Sequence, residues 1–238
     1  MKITFAIQRF DPEKDSSPHF EDFELDLAPE ARVLDGLVHI KTYLDGTLAF
    51  RKSCAHGICG SDAMLIDGQE RLACKTLLRD LGAAEGSSIR IEPLKCLPLQ
   101  RDLMVDQEPF FSAYRSVKPY LINAEPAGPK ERKQSQAERE EIDDATKCIL
   151  CASCYSACPV LRDKNPAFIG PAAVLNAARF VFDSRDRGTG ERLPALDRPD
   201  GVWACESKFR CTQVCPRGIK VTKSINLTKR RIESLNKQ

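Results

Sequence analysis

All but one of the 11 cysteines of this chain fall into three groups, and the spacing inside each group is informative. The first is Cys54-x4-Cys59-x2-Asp62-x11-Cys74. A C-x4-C-x2-C run with a distant fourth cysteine is the plant-type spacing for a [2Fe–2S] cluster, and here Asp62 stands in the third place. Thiolates are the soft ligands that suit iron–sulfur chemistry; a carboxylate is harder but carries the same charge, so Asp62 could hold one iron at an altered potential. Gly57 and Gly60 let the backbone wrap closely and turn N–H groups toward the sulfurs. His56 lies in the same loop, where a lone histidine more commonly faces solvent than binds metal.

The second group, Cys148-x2-Cys151-x2-Cys154-x3-Cys158-Pro159, follows the bacterial ferredoxin run at every position. In two-cluster proteins the fourth cysteine of such a run serves the other cluster, so a second run is required. It is Cys205-x2-Lys208-x2-Cys211-x3-Cys215-Pro216, with lysine in the second ligand place. Cys148, Cys151, Cys154 and Cys215 then supply four thiolates for a [4Fe–4S] cluster. Cys158, Cys205 and Cys211 supply three. A charged ammonium has no lone pair, so Lys208 cannot complete the set, and a [3Fe–4S] cluster follows. Cys96 is left over and reads as a small buried hydrophobe. Structural zinc is the competing reading, but zinc sites usually pair C-x2-C units, which the first group lacks. Disulfide staples belong to small secreted domains, which a 238-residue chain without an export signal does not resemble.

Two kinds of element must position these groups. Up to about residue 105, Ile3, Phe5 and Ile7, then Phe23, Leu25 and Leu27, alternate as in half-buried strands, and Ser88 to Leu94 does so again. Val33 to Leu44 keeps helical spacing. Ala63 to Ile66 and Arg71 to Cys74 flank Asp67-Gly68 as a hairpin. Beyond 106 the pattern turns helical, over Pro109 to Leu121, Ser135 to Thr146, Pro171 to Phe182 and Val221 to Leu235. Ala124 to Gln136 reads as an exposed connection. The expectation is an α+β chain, with residues 1–105 a small mixed domain and 106–238 all-helical.

Composition narrows the function. The 36 basic and 34 acidic residues leave a net charge of +2, which argues against a nucleic-acid partner. No uncharged apolar run approaches the ~18 to 20 residues that cross a bilayer. The amino terminus is too short and too alternating for a secretory signal. There is no G-x-G-x-x-G after a strand, no P-loop, no nucleophile elbow and no H-E-x-x-H. A chain with three clusters and no substrate machinery reads as an electron conduit serving a partner.

SCAHGICGSDAM, LACKTLLRDL, PLQRDLMVD, KCILCASCYSACPV, FIGPAA, DSRD and CTQVCPRGI together resemble the iron–sulfur subunit of succinate dehydrogenase and fumarate reductase, over nearly the whole chain. The resemblance implies a plant-ferredoxin-like β-grasp domain followed by an α-helical ferredoxin-like domain. It implies a flavoprotein partner with covalent FAD, where succinate and fumarate interconvert. It also implies a membrane anchor, with or without haem, at which quinone is reduced or quinol oxidised, and a peripheral location on the cytoplasmic face of the inner membrane. Aspartate in place of the third cysteine is similar to some bacterial succinate dehydrogenases. At the quinone end the resemblance singles out Pro159, Lys229 and, where relatives usually have an apolar residue, Lys208. The tryptophan and histidine of many ubiquinone-reducing members would fall at Asp163 and Glu206, so a fumarate reductase with another donor or anchor is the alternative. Lys229, Arg230 and Arg231 make the last helix basic, fit for anionic lipid, an anchor subunit or simply solvent.

Overall fold

The computed structural model describes residues 1–126 and 128–237. It divides into two compact units. The first takes Met1–Gln107 together with Ile149–Ser156; the second takes Glu108–Cys148 and the chain from Ala157 on.

The first unit is built on a five-stranded sheet. Its strands are β1 (Lys2–Arg9), β2 (His19–Asp26), β3 (Ala63–Ile66), β4 (Gln69–Leu72) and β5 (Ser88–Glu92), in the spatial order β2-β1-β5-β3-β4. β1 runs antiparallel to β2 and parallel to β5, while β3 is antiparallel to both β4 and β5. Alternation decides which side is buried: Ile3, Phe5 and Ile7 of β1 point into the core with Ile89 and Ile91 of β5. The helix Val33–His39 closes over them and continues into a single π turn, Ile40–Leu44. Gly36 sits on that helix because a methyl there would lie 2.5 Å from the Phe5 ring.

The β3–β4 hairpin is two residues tighter than the spacing suggests. Ile66 pairs with Gln69, so only Asp67 and Gly68 form the turn, at φ +50 and +72. The strand therefore begins at Gln69 rather than Arg71, and Ala73 and Cys74 lie beyond it. A second small hairpin, Leu99–Arg101 with Met104–Val105, was not expected.

Ile149–Ser156 joins this unit through buried polar contacts. The Ser156 hydroxyl donates to Glu70 Oε1 (2.9 Å) and accepts the Lys95 N–H (2.9 Å). Both Ser156 and Glu70 are buried, so the pairing satisfies groups that would otherwise be costly.

The second unit is helical. Gly170–Val181, buried nearly all round, is its centre, and Glu108–Ser116, Gln136–Thr146, Thr189–Leu196 and Val221–Leu235 pack on it. Gln136–Thr146 starts where a capping box puts it: Ser135 Oγ accepts the Glu138 N–H and Glu138 Oε2 accepts the Ser135 N–H. The helix expected to reach Leu121 stops at Ser116, because Lys118 turns left-handed (φ +47) ahead of Pro119. Thr189–Leu196 carries Pro194 inside it, a residue that argues against a helix in sequence. Among the described residues no helix is long and apolar enough to cross a membrane. The chain is α+β, with sheet in the first unit and helices in the second.

Candidate metal centres

The Cys54–Cys59 loop is wrapped around a sulfur. Cys54 Sγ accepts the N–H groups of His56 (3.5 Å), Ile58 (3.4 Å) and Cys59 (3.3 Å). These donors, that of His56 first, draw the thiol down to about 6, so it is ready to bind metal as a thiolate near neutral pH. Left-handed Ala55 and Gly57 (φ +58 and +80) make this winding possible. His56 is exposed and gives its Nδ1–H to the Cys54 carbonyl at 2.6 Å. Cys59 and Ile58 are exposed at the tip.

Asp62 and Cys74 lie at the base of this loop, both buried. Asp62 Oδ2 accepts the Cys74 N–H at 2.6 Å, whereas Asp62 Oδ1 is buried with no hydrogen-bond partner. Burial first, and then the neighbouring Asp62, push the Cys74 thiol up to about 12. An unpartnered, buried carboxylate oxygen next to a buried thiol is an anionic donor set, so these residues fit an iron–sulfur group.

Gly60 shows why glycine is required within the loop. It is left-handed (φ +69), and a methyl there would lie 2.6 Å from the Cys151 Cβ and 3.0 Å from its Cα. Cys151 is itself part of the first unit's hydrophobic core. Gly60→Ala is expected to cost about 2–4 kcal/mol, from left-handed strain plus overpacking. Gly68→Ala, equally left-handed but with open space around it, should lose only the strain, about 1–2 kcal/mol. Thermal unfolding of the two variants compares them; equal losses would mean that the Cys151 contact is slack.

The four cysteines expected at the [4Fe–4S] cluster are divided between the two units. Cys151 and Cys154 belong to the first unit, Cys154 within the short helix Ser153–Ser156; Cys148 and Cys215 belong to the second. Asn176 Nδ2 reaches Cys148 Sγ at 3.6 Å. Cys215 follows the short helix Arg210–Gln213. Cys96 is half-buried rather than buried, and its thiol donates to the Ser156 carbonyl at 3.7 Å.

Within the second unit, Cys158, Cys205 and Cys211 line one small pocket, together with Pro159, Lys208 and Thr222. Cys205 Sγ accepts the Ser207 N–H (3.4 Å), and Cys211 Sγ lies 3.3 Å from the Thr222 hydroxyl. Burial pushes the Cys158 and Cys211 thiols up. Three cysteines lining one cavity, two of them with donors at their sulfurs, fit a group that takes three thiolates. Among the described residues, no three His, Cys, Asp or Glu side chains close tightly enough on one point for a single metal ion.

The residues singled out for the quinone end are arranged unequally. Pro159 opens the short helix Pro159–Asp163 at the pocket wall. Lys208 is on the pocket lining, with its Nζ 3.7 Å from Glu206, which Lys164 already holds at 2.6 and 2.7 Å. Lys229 is outside that lining and donates to the Cys205 carbonyl at 2.6 Å. Asp163 pairs with its neighbour Arg162. Thr222, Ser207 and Asn176, which reach the sulfurs, have no spacing signal that would mark them.

Comparisons with known proteins agree with this cysteine-rich architecture. Residues 4–112 match a 2Fe-2S iron-sulfur cluster binding domain, and residues 144–219 a 4Fe-4S dicluster domain. The chain is 42% identical over 224 residues to the succinate dehydrogenase iron-sulfur subunit of Coxiella burnetii, covering 94% of both chains. It is 42% identical over 220 residues to the fumarate reductase iron-sulfur subunit of Mycobacterium tuberculosis, covering 92% of this chain and 87% of that one. With the succinate dehydrogenase iron-sulfur subunit of Paracoccus denitrificans it shares 40% over 222 residues, 93% of this chain and 84% of that one. A chain of the Mycobacterium smegmatis Sdh1 complex in the apo form has the same fold, with a TM-score of 0.86 at 24% identity, over 100% of this chain and 98% of that one. The chain belongs to the iron–sulfur subunits of succinate dehydrogenase and fumarate reductase.

Proposed function

We propose that this chain is the electron-transfer subunit of a membrane-bound succinate:quinone oxidoreductase, passing electrons singly from the FAD of a flavoprotein partner to quinone at a membrane anchor. The three clusters supply one-electron sites that join a two-electron flavin to a two-electron quinone. Cys54, Cys59, Asp62 and Cys74 would hold [2Fe–2S]; Cys148, Cys151, Cys154 and Cys215 would hold [4Fe–4S]; Cys158, Cys205 and Cys211 would hold [3Fe–4S]. The supporting observation is the approach of Gly60, between Cys59 and Asp62, to Cys151, so close that it excludes a methyl. It brings two ligand runs into van der Waals contact, and electron tunnelling falls steeply with distance.

In this reading residues 1–105 are a plant-ferredoxin-like β-grasp domain and 106–238 an α-helical ferredoxin-like domain. Pro159, Lys208 and Lys229 stand at the quinone end. The subunit would sit peripherally on the cytoplasmic face of the inner membrane, held by anchor subunits. A fumarate reductase working in the opposite direction or with a different donor or anchor is the second reading, favoured by Glu206 clasped to Lys164 where many ubiquinone-reducing relatives carry histidine. Turnover independent of quinone in washed membranes would select it.

Electron paramagnetic resonance of the purified complex, with iron and acid-labile sulfide counts, tests the main reading. About nine irons per chain are expected. A three-iron signal is expected in the oxidised protein, and two-iron and four-iron signals on stepwise reduction. Cys205→Ala should abolish the three-iron signal and leave the two-iron signal intact. Retention of all three signals would sink the assignment.

A further inference from the structure

The three cysteines of the second unit's pocket receive hydrogen bonds of different kinds. Cys158 takes the main-chain N–H groups of Leu161 and Val160, and Cys205 takes that of Ser207. Cys211 has a side-chain donor as well: the Thr222 hydroxyl, 3.3 Å from its sulfur, on a residue only 1% exposed. Thr222 is also tied to Thr212. Its N–H donates to Thr212 Oγ1 at 3.0 Å, and the Thr212 hydroxyl donates to Thr222 Oγ1 at 3.0 Å.

The proton positions in this set follow from valence. A metal-bound thiolate carries no proton and can only accept, so the Thr222 O–H must point at Cys211. Thr222 Oγ1 then accepts from Thr212, whose own oxygen accepts the Thr222 N–H. Each bond polarises the next, which strengthens the last one on the sulfur.

We propose that Thr222, backed by Thr212, is a positioning residue that raises the reduction potential at the Cys158–Cys205–Cys211 site by donating a hydrogen bond to Cys211 Sγ. The proposal rests on those three cysteines holding a three-iron cluster. Reduction adds negative charge that spreads onto the ligand sulfurs, and a donor there stabilises the reduced form more than the oxidised one. Lys208, on the same pocket, acts in the same direction as a nearby cation, whereas Thr222 acts through one directed bond on one sulfur. Valine matches threonine in shape and lacks the hydroxyl, so the contribution can be removed without opening a cavity.

The test is a redox titration of the purified complex, followed by the three-iron signal. Thr222→Val should weaken reduction by about three- to tenfold, where tenfold is about 59 mV for a one-electron couple. Thr222→Ser should restore the parent value, and Thr212→Val should give a smaller shift in the same direction. Iron content and the other two signals should not change. A Thr222→Val complex with its three-iron signal intact and its potential unmoved would overturn the proposal. Should Thr222→Val fail to assemble, an unshifted potential in Thr212→Val would overturn it instead. Absence of any three-iron signal in the parent complex would refute the underlying ligand assignment, a separate result.

Discussion

Arg192→Ala is expected to unfold the second unit or bring it close to unfolding. Arg192 and Asp186 form an ion pair in which both side chains are fully buried, at 2.7 and 3.1 Å. The same guanidinium donates to the Lys118 carbonyl (3.2 Å) and the Tyr120 carbonyl (2.7 Å). The Asp186 carboxylate accepts from the Ile122 N–H (2.9 Å) and the Gly188 N–H (2.6 Å). Truncating the arginine leaves a buried carboxylate without its counter-charge, at a cost of about 3–5 kcal/mol. Domain stabilities are on the order of 5–15 kcal/mol, so this is a large part of the total. The melting temperature should fall by on the order of 10 °C, or the chain should fail to accumulate.

Two further substitutions separate the causes. Asp186→Leu combined with Arg192→Met removes both charges and should recover part of the loss. It cannot recover all, because the two carbonyls and two N–H groups held by the pair would then lack partners. Glu191→Ala breaks the Lys118–Glu191 pair, which links the same segments at 2.5 Å but is half-exposed. That change should cost no more than about 1 kcal/mol. An Arg192→Ala chain as stable as Glu191→Ala would contradict the buried-pair argument.

Local signals explain what could be read in advance. Ser135 and Glu138 announce a helix start because the capping box needs only four residues. Asp67-Gly68 announces a hairpin because few pairs tolerate two consecutive left-handed residues. Val33–Leu44 has helical spacing throughout, although its last turn is wound as π rather than α. Elements that depend on distant partners were not legible. The attachment of Ile149–Ser156 to the first unit hangs on Ser156 meeting Glu70 and Lys95. The helix around Pro194 is held by Arg192, whose carbonyl partners Lys118 and Tyr120 lie 74 and 72 residues earlier in the chain.

The candidate centres divide the same way. Candidate ligand types can be read from spacing because ligands within a run are bound by local geometry. The donors that modulate them come from elsewhere: Asn176 reaches Cys148 from the helix Gly170–Val181, and Lys229 reaches the Cys205 carbonyl from the last helix. Lys229 is singled out for the quinone end by resemblance alone; by its spacing it reads as a solvated charge, and its bond to the Cys205 carbonyl has no local signal.

Asp62 carries the second large effect. If its role were only to cap the Cys74 N–H, one oxygen would be enough, and the other would not be sealed from solvent without a partner. A buried carboxylate oxygen in that state costs at least about 1–3 kcal/mol, which iron would offset. Asp62→Asn keeps an oxygen for the Cys74 N–H and removes the anion. The complex carrying it should therefore lose the two-iron signal, with about seven irons per chain remaining. Asp62→Ala should do the same. Asp62→Cys supplies the thiolate that the plant-type run has at this place and should keep the cluster at a shifted potential. Full iron content with an unchanged two-iron spectrum in Asp62→Asn would make Asp62 a cap and leave the fourth iron position to another donor. Loss in both Asp62→Asn and Asp62→Ala, with retention in Asp62→Cys, separates ligation from general disruption, since cysteine preserves the anionic donor while abandoning the hydrogen bond that asparagine keeps.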